Sequence, residues 1–194
     1  MLRKLNSPLK MHRTFIYITL FSLLLSSCGK DQDPFLIQKH NIGNLTDSTQ
    51  IKDLKSIFEN DSVANYIGKD EFTRNINTIE IFSKDGTSLL SISPQIRADS
   101  TSVVNSVRIL DSRYKTEKGI SIMSSFKDIQ NAYEISKIDN LINSIVVSVK
   151  EINASFTIDK KELPSNLRFD RSISIEASQI PDNAKVKYFF IHWN

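Results

Sequence analysis

The stretch Ile142-Asn143-Ser144-Ile145-Val146-Val147-Ser148-Val149-Lys150-Glu151-Ile152-Asn153-Ala154-Ser155-Phe156-Thr157-Ile158-Asp159 decides the fold class. Ile145, Val147 and Val149 recur at every second position, which is the period of a strand with one face on a core and one face wet. Lys150 to Asn153 reads as the connection, and Ala154 to Asp159 as the returning strand of a hairpin. Downstream, Lys185 to Trp193 forms a further strand. Val186, Tyr188, Phe190 and His192 fall on one side of it, and Phe189, Ile191 and Trp193 on the other. Apolar residues on both sides predict a central strand covered on both faces. Ser172 to Ala177 is a weaker strand candidate.

Upstream, the period changes. Phe126, Ile129 and Tyr133 share one face of a helix over Phe126 to Ile135, with Ser125 as its cap and Asp128 three residues on. Before it, Ile76 to Phe82 and Ser88 to Ser93 flank Lys84-Asp85-Gly86-Thr87, an Asp-Gly hairpin signal, and Val103 to Leu110 is another strand. A first helix is predicted over Ser48 to Phe58, capped by Asp47 with Gln50 as capping-box partner. It carries Ile51, Leu54, Ile57 and Phe58 on one face. Ile51-Lys52-Asp53-Leu54 with Phe58 is echoed by Phe126-Lys127-Asp128-Ile129 with Tyr133, each pair 75 residues apart and each copy followed by a strand hairpin. The expectation is an α+β fold: one sheet-rich antiparallel domain over residues 41–194 with two short amphipathic helices, built on a duplicated helix-plus-hairpin unit.

The start of the chain has a different grammar. Arg3, Lys4, Lys10 and Arg13 precede an apolar run from Phe15 to Leu25. As a helix those 11 residues would be about 16 Å long, against a hydrocarbon core of roughly 30 Å, so the run is too short to span. A positive flank, a short apolar run and small residues make a signal peptide over residues 1–27. Leu25-Ser26-Ser27-Cys28 resembles the lipobox of bacterial lipoproteins. The resemblance implies diacylglyceryl transfer to the Cys28 thiol, cleavage before Cys28, and anchoring in a membrane by the lipid. Lys30-Asp31-Gln32-Asp33 resembles the charged tag of surface lipoproteins of the Bacteroidetes, with Gln32 interrupting the acids. It implies the outer membrane, with the domain facing either the exterior or the periplasm. Residues 28–40 read as the lipidated cysteine and a tether.

Composition narrows the function classes. The formal charge of +3 belongs to the leader: without residues 1–27, 21 basic and 22 acidic residues remain. The basic residues are scattered rather than interleaved with aromatics, so nucleic acid is not an expected partner. Cys28 is committed to lipid, and only His40 and His192 remain as histidines, which argues against a metal site or a cofactor. No Gly-x-Ser-x-Gly, Walker, Gly-x-Gly-x-x-Gly or His-Glu-x-x-His pattern occurs. Asp47-Ser48-Thr49, Asp61-Ser62-Val63 and Asp99-Ser100-Thr101 resemble the O-glycosylation acceptor of the Bacteroidetes, which implies Ser48, Ser62 and Ser100 as sites. Turn and cap chemistry is the competing explanation for these triplets.

Four further pieces occur in order. They are Ile42-Gly43-Asn44-Leu45-Thr46, Thr116-Glu117-Lys118-Gly119-Ile120-Ser121-Ile122 before the second helix, the hairpin after it, and Ile180-Pro181-Asp182-Asn183-Ala184-Lys185-Val186. That order resembles envelope lipoproteins of unknown function, including a stress-regulated enterobacterial kind with one α+β domain. The expected function is a non-enzymatic, membrane-anchored module that binds an envelope protein or a glycan. The alternative is a carrier of a small hydrophobic ligand between helices and sheet.

Overall fold

A computed structural model describes residues 33–68, 76–170 and 172–193. The lipobox residues Leu25, Ser26, Ser27 and Cys28 lie outside the described residues. From Asp33 onward the chain is one compact unit. Its centre is an eight-stranded sheet of β4 (Ser62–Gly68), β5 (Ile76–Phe82), β6 (Ser88–Pro94), β7 (Val104–Ile109), β9 (Lys137–Asn140), β10 (Ser144–Val149), β11 (Ala154–Asp159) and β12 (Val186–His192). A four-stranded sheet of two-residue strands joins β1 (Leu36–Ile37), β2 (Asn41–Ile42), β3 (Leu45–Thr46) and β8 (Lys115–Thr116). The helices are α1 (Leu54–Ile57), entered through a 3-10 turn at Ile51–Asp53, and α2 (Phe126–Ala132). The expected α+β class, rich in antiparallel sheet with two short helices, is what the chain adopts.

Register explains the layering. One cross-strand row runs Val63–Ile81–Leu90–Ile109–Phe189–Phe156–Val147–Ile138 through all eight strands. The row one residue along runs Ala64–Glu80–Ser91–Arg108–Phe190–Ser155–Ser148–Lys137. Successive residues of a strand point to opposite faces. The first row therefore builds the core, and the second builds an open face. Phe156 and Phe189 are fully buried and stack at 4.6 Å between centroids. Phe126 and Ile129 of α2, Leu54 of α1, and Ile37, Ile42 and Leu45 of the small sheet join the same core.

Strand order in the large sheet is β4-β5-β6-β7-β12-β11-β10-β9. Two four-stranded meanders thus meet at their last strands, β7 and β12, and each meander follows a helix. The junctions between helix and last strand also match. Ile51 N donates to Ser102 O, Lys52 N to Ser100 O and Val104 N to Thr49 O. In the second half Phe126 N donates to Ala184 O, Lys127 N to Asp182 O and Val186 N to Ser124 O. Lone antiparallel bridges pair Gln50 with Val103 and Ser125 with Lys185. Thr46 N donates to Thr49 Oγ1, and Ser121 N to Ser124 Oγ, again 75 residues on.

Several expectations need correction. The first helix begins at Ile51, not Ser48, and ends at Ile57. Bridging to Val103 holds Gln50 extended, so helical dihedrals cannot start earlier, and the Asp47 carboxylate bonds His40 Nδ1 at 2.7 Å instead of capping. The second helix ends at Ala132, three residues short of Ile135, while its Ser125–Asp128 capping box is present. Ser172 to Ala177 is not a strand; Asn140 Nδ2 donates to the carbonyls of Asp170 and Ile173 and ties this segment down as a covering loop. Strand pairing begins at Leu36, inside the stretch read as tether. Gly43 locks it there: its φ is +53°, and an added Cβ would lie 2.2 Å from the Pro34 carbonyl oxygen. The strands β1–β3, β8, β4 and β9 were not expected from sequence.

The two helix starts differ in one respect that can be tested. Ser125 accepts from Asp128 N, whereas Gln50 in the equivalent place makes no side-chain cap although its backbone is extended. Ser125→Ala should lower stability by ~1 kcal/mol, and Gln50→Ser, with Asp53 already in the third position, should raise it by a similar or smaller amount. Hydrogen bonds from Ser125 hold the Asp128 carboxyl below its ordinary value of 3.8. The benefit of the second cap is therefore present above that value and lost as pH falls through the lowered one. Urea melts of both variants at neutral and acid pH check this.

Candidate functional site on the open sheet face

The open face is populated by what β12 presents on it. Tyr188, Phe190 and His192 stand two residues apart on a strand with four strands on one side and three on the other. Tyr188 and Phe190 meet edge to face at 6.4 Å, and Phe190 and His192 stack at 6.0 Å with 17° between their planes. The three rings form one aromatic strip along the strand. Tyr188 is 39% exposed; Phe190 and His192 are partly buried. Covering of both faces of β12, expected from its apolar residues, is thus corrected: Phe189 and Ile191 are in the core, and the second face is open. Val186 changes side because the register with β11 shifts between Thr157 and Ile158, and one extra residue reverses the alternation.

Arg108 of β7 lies directly across from Phe190, with its guanidinium 5.6 Å from the Tyr188 ring centroid. Its Nε is buried without a hydrogen-bond partner, and among the described residues no carboxylate forms an ion pair with it. Buried donors without partners are rare, and this one lies just below an open face, where a shift of the partly exposed Arg108 side chain would bring it to an outside acceptor. Ser91 and Ser155 flank the row and are themselves buried beneath the larger side chains.

His192 bonds Ser155 Oγ through Nε2 at 2.7 Å, and burial pushes its imidazole below the ordinary 6.5. Beside the pair is a depression of about 350 Å³ that also takes in Ser136, Lys137, Ser148 and Asn153. A hydroxyl next to a neutral imidazole is the first requirement of a serine nucleophile. The second is a group that orients the imidazole, and the third a pair of free backbone amides for an oxyanion. Among the described residues no carboxylate bonds His192, and Ser155 sits mid-strand between β10 and β12, where ladder bonds use the amides.

The residues singled out from sequence do not converge on this face. Ser48, Ser62 and Ser100 are each accessible, on separate turns or strand ends. In the third triplet the Asp99 carboxylate accepts from Thr101 N and Oγ1, which is turn chemistry. His40 pairs with Asp47 at the small sheet. Arg108 and Ser155 were not anticipated, because a lone Arg or Ser in a strand carries no motif; alternation could have placed them on the wet face beside Phe190, given the register. Among the described residues no group of three His, Cys, Asp or Glu could hold a metal ion, and no helix is long and apolar enough to cross a membrane.

No protein-family model matches the chain, and no curated protein sequence does. The structure is similar to that of the uncharacterized protein yfeY from Escherichia coli. The TM-score is 0.50, over 80% of this chain and 98% of that one, at 13% sequence identity. At that identity the likeness concerns the fold alone.

Proposed function

We propose that this chain is a lipid-anchored envelope lipoprotein, held at the outer membrane by acyl chains on Cys28, whose open sheet face binds another protein without catalysing a reaction. The observation that carries the binding reading is the buried, unpartnered Nε of Arg108 packed against Tyr188 beside Phe190. Arg and Tyr dominate the energetic centres of protein interfaces, and an acceptor from the partner would satisfy the orphaned donor. A glycan is the second reading. It is less favoured here because Phe190 is partly buried and already engaged on both sides by Tyr188 and His192, at 6.4 and 6.0 Å between centroids. A carrier would need room between helix and sheet, where Phe126, Ile129, Phe156 and Phe189 are fully buried. The unoriented His192 and the occupied amides around Ser155 favour binding over hydrolysis.

In this reading the chain is also a duplication of a helix followed by a four-stranded meander, the two copies related about the β7–β12 pair. The mirrored strand order and three matching helix-to-strand hydrogen bonds support it. Ser48, Ser62 and Ser100 stay proposed as O-glycan acceptors, all three being accessible.

Photo-crosslinking in cells tests the binding face. A photoreactive residue at Tyr188 should yield one discrete protein adduct, one at Lys84 on the hairpin turn should not, and Arg108→Ala should weaken capture at 188 by ~30-fold, the effect of one hot-spot residue. Equal adducts at both positions, or capture indifferent to Arg108, would remove the proposal. An adduct that digests as polysaccharide would replace it with the glycan reading.

A further inference from the structure

A second site lies where β11 ends, next to the Tyr188 end of the aromatic row: Lys187 Nζ is 5.6 Å from the Tyr188 ring centroid. Lys160 follows Asp159 directly, and the 3-10 turn at Lys160–Glu162 turns the chain into the covering loop. A cavity of about 670 Å³ opens there, lined by Lys160, Lys161, Arg168 and Lys187, with Asp159 the one carboxylate among its lining residues. That carboxylate is already engaged: it accepts from Lys161 N and from Lys187 Nζ, each at 3.0 Å. Asp170, the other acid near Lys160, is bonded to Ser172 N and Oγ. Arg168 gives Nε to the Leu163 carbonyl.

Lys160 is the anomaly. It is 4% exposed, and its Nζ is buried without any hydrogen-bond partner. An ammonium taken from water without a partner is costly, and three donors go unused. A cavity lined by this residue and three more cations is complementary to an anion, which would reach the Nζ by a small shift of the lysine side chain. A phosphate group, with several acceptor oxygens and up to two charges, answers that donor set, and Arg recognises it in a fork geometry. The rim adds a second property. Phe169 is 87% exposed and Ile142 66% exposed, and both line the same cavity. Large apolar side chains held beside a cationic pocket fit a ligand with a charged head and an apolar body.

We infer that this cavity binds the phosphate headgroup of an anionic lipid, with Lys160 and Arg168 on the phosphate and Phe169 and Ile142 against the apolar part. Its ligand differs in kind from the protein proposed for the aromatic face, which it adjoins through Lys187.

The test uses the full, lipidated chain reconstituted in nanodiscs, with Phe169→Trp as an exposed reporter. The parent chain, whose Trp193 indole donates to the Lys39 carbonyl, supplies the baseline emission to subtract. Nanodiscs of phosphatidylcholine alone should leave the emission of the introduced indole unchanged, and adding phosphatidylglycerol should shift it to the blue. Lys160→Met, which keeps the stem and removes the charge, should weaken the lipid dependence about tenfold or more, as losing one charge-assisted contact would. Arg168→Gln, whose side chain is only partly buried, should do the same and covers the case in which Lys160→Met fails to fold. Inorganic phosphate added to phosphatidylcholine nanodiscs separates the sources: a response to phosphate alone, with none to phosphatidylglycerol, overturns the lipid assignment. Equal emission in both lipids, or a shift that survives in both variants, overturns the anion site itself.

Discussion

Phe189→Ala is expected to cost ~3–5 kcal/mol, whereas Phe190→Ala, one residue along the same strand, is expected to cost a small fraction of that. Phe189 is fully buried, stacks on Phe156 at 4.6 Å, and is flanked across the sheet by Ile109. Its removal leaves a cavity under the centre of the eight-stranded sheet and also forfeits the ring-on-ring contact, which a methyl group cannot replace. For a domain of this size each kcal/mol moves the melting temperature by ~2–4 °C, so the first variant should melt ~6–20 °C lower. Phe190 lies on the open face between Arg108 and Ser155, and its truncation removes ring contacts with Tyr188 and His192 but opens no core cavity. Thermal melts of the two variants measure which face of β12 is core. Equal losses would mean that a further layer covers the aromatic row.

Cys28→Ala is expected to abolish incorporation of labelled fatty acid and to leave the protein either as uncleaved precursor or free of the membrane fraction. One acyl chain holds a protein to a bilayer only marginally, at ~0.8 kcal/mol per buried CH₂, and two or more make the attachment stable. Losing the thiol removes every chain that depends on it. Metabolic labelling followed by fractionation reads both effects, and labelling of the variant at the normal level would sink the anchor. Protease treatment of intact cells then separates an exterior from a periplasmic domain.

The second-half hairpin, the capped helix at Ser125 and the final strand were legible because each carries its own local signal over six or more residues. Alternation, a capping box and a run of apolar residues act within one element. The strands β1, β2, β3 and β8 were not legible, since two residues are too few to express a period. The strand β4 was hidden by Val63-Ala64 and Tyr66-Ile67, which do not alternate cleanly. The first helix is shorter than its sequence suggests because nothing in Ser48-Thr49-Gln50 announces that Val103 and Val104 will pair with it.

Alone, the order of side chains along the chain determined the antiparallel α+β class and the 75-residue echo, because both are written in spacing and composition. Tertiary structure alone decided which side of β12 stays open, which arginine lies over Tyr188, and which lysine is buried without a partner. Those outcomes depend on register between strands about 80 residues apart in sequence, where a slip of one residue exchanges the two faces.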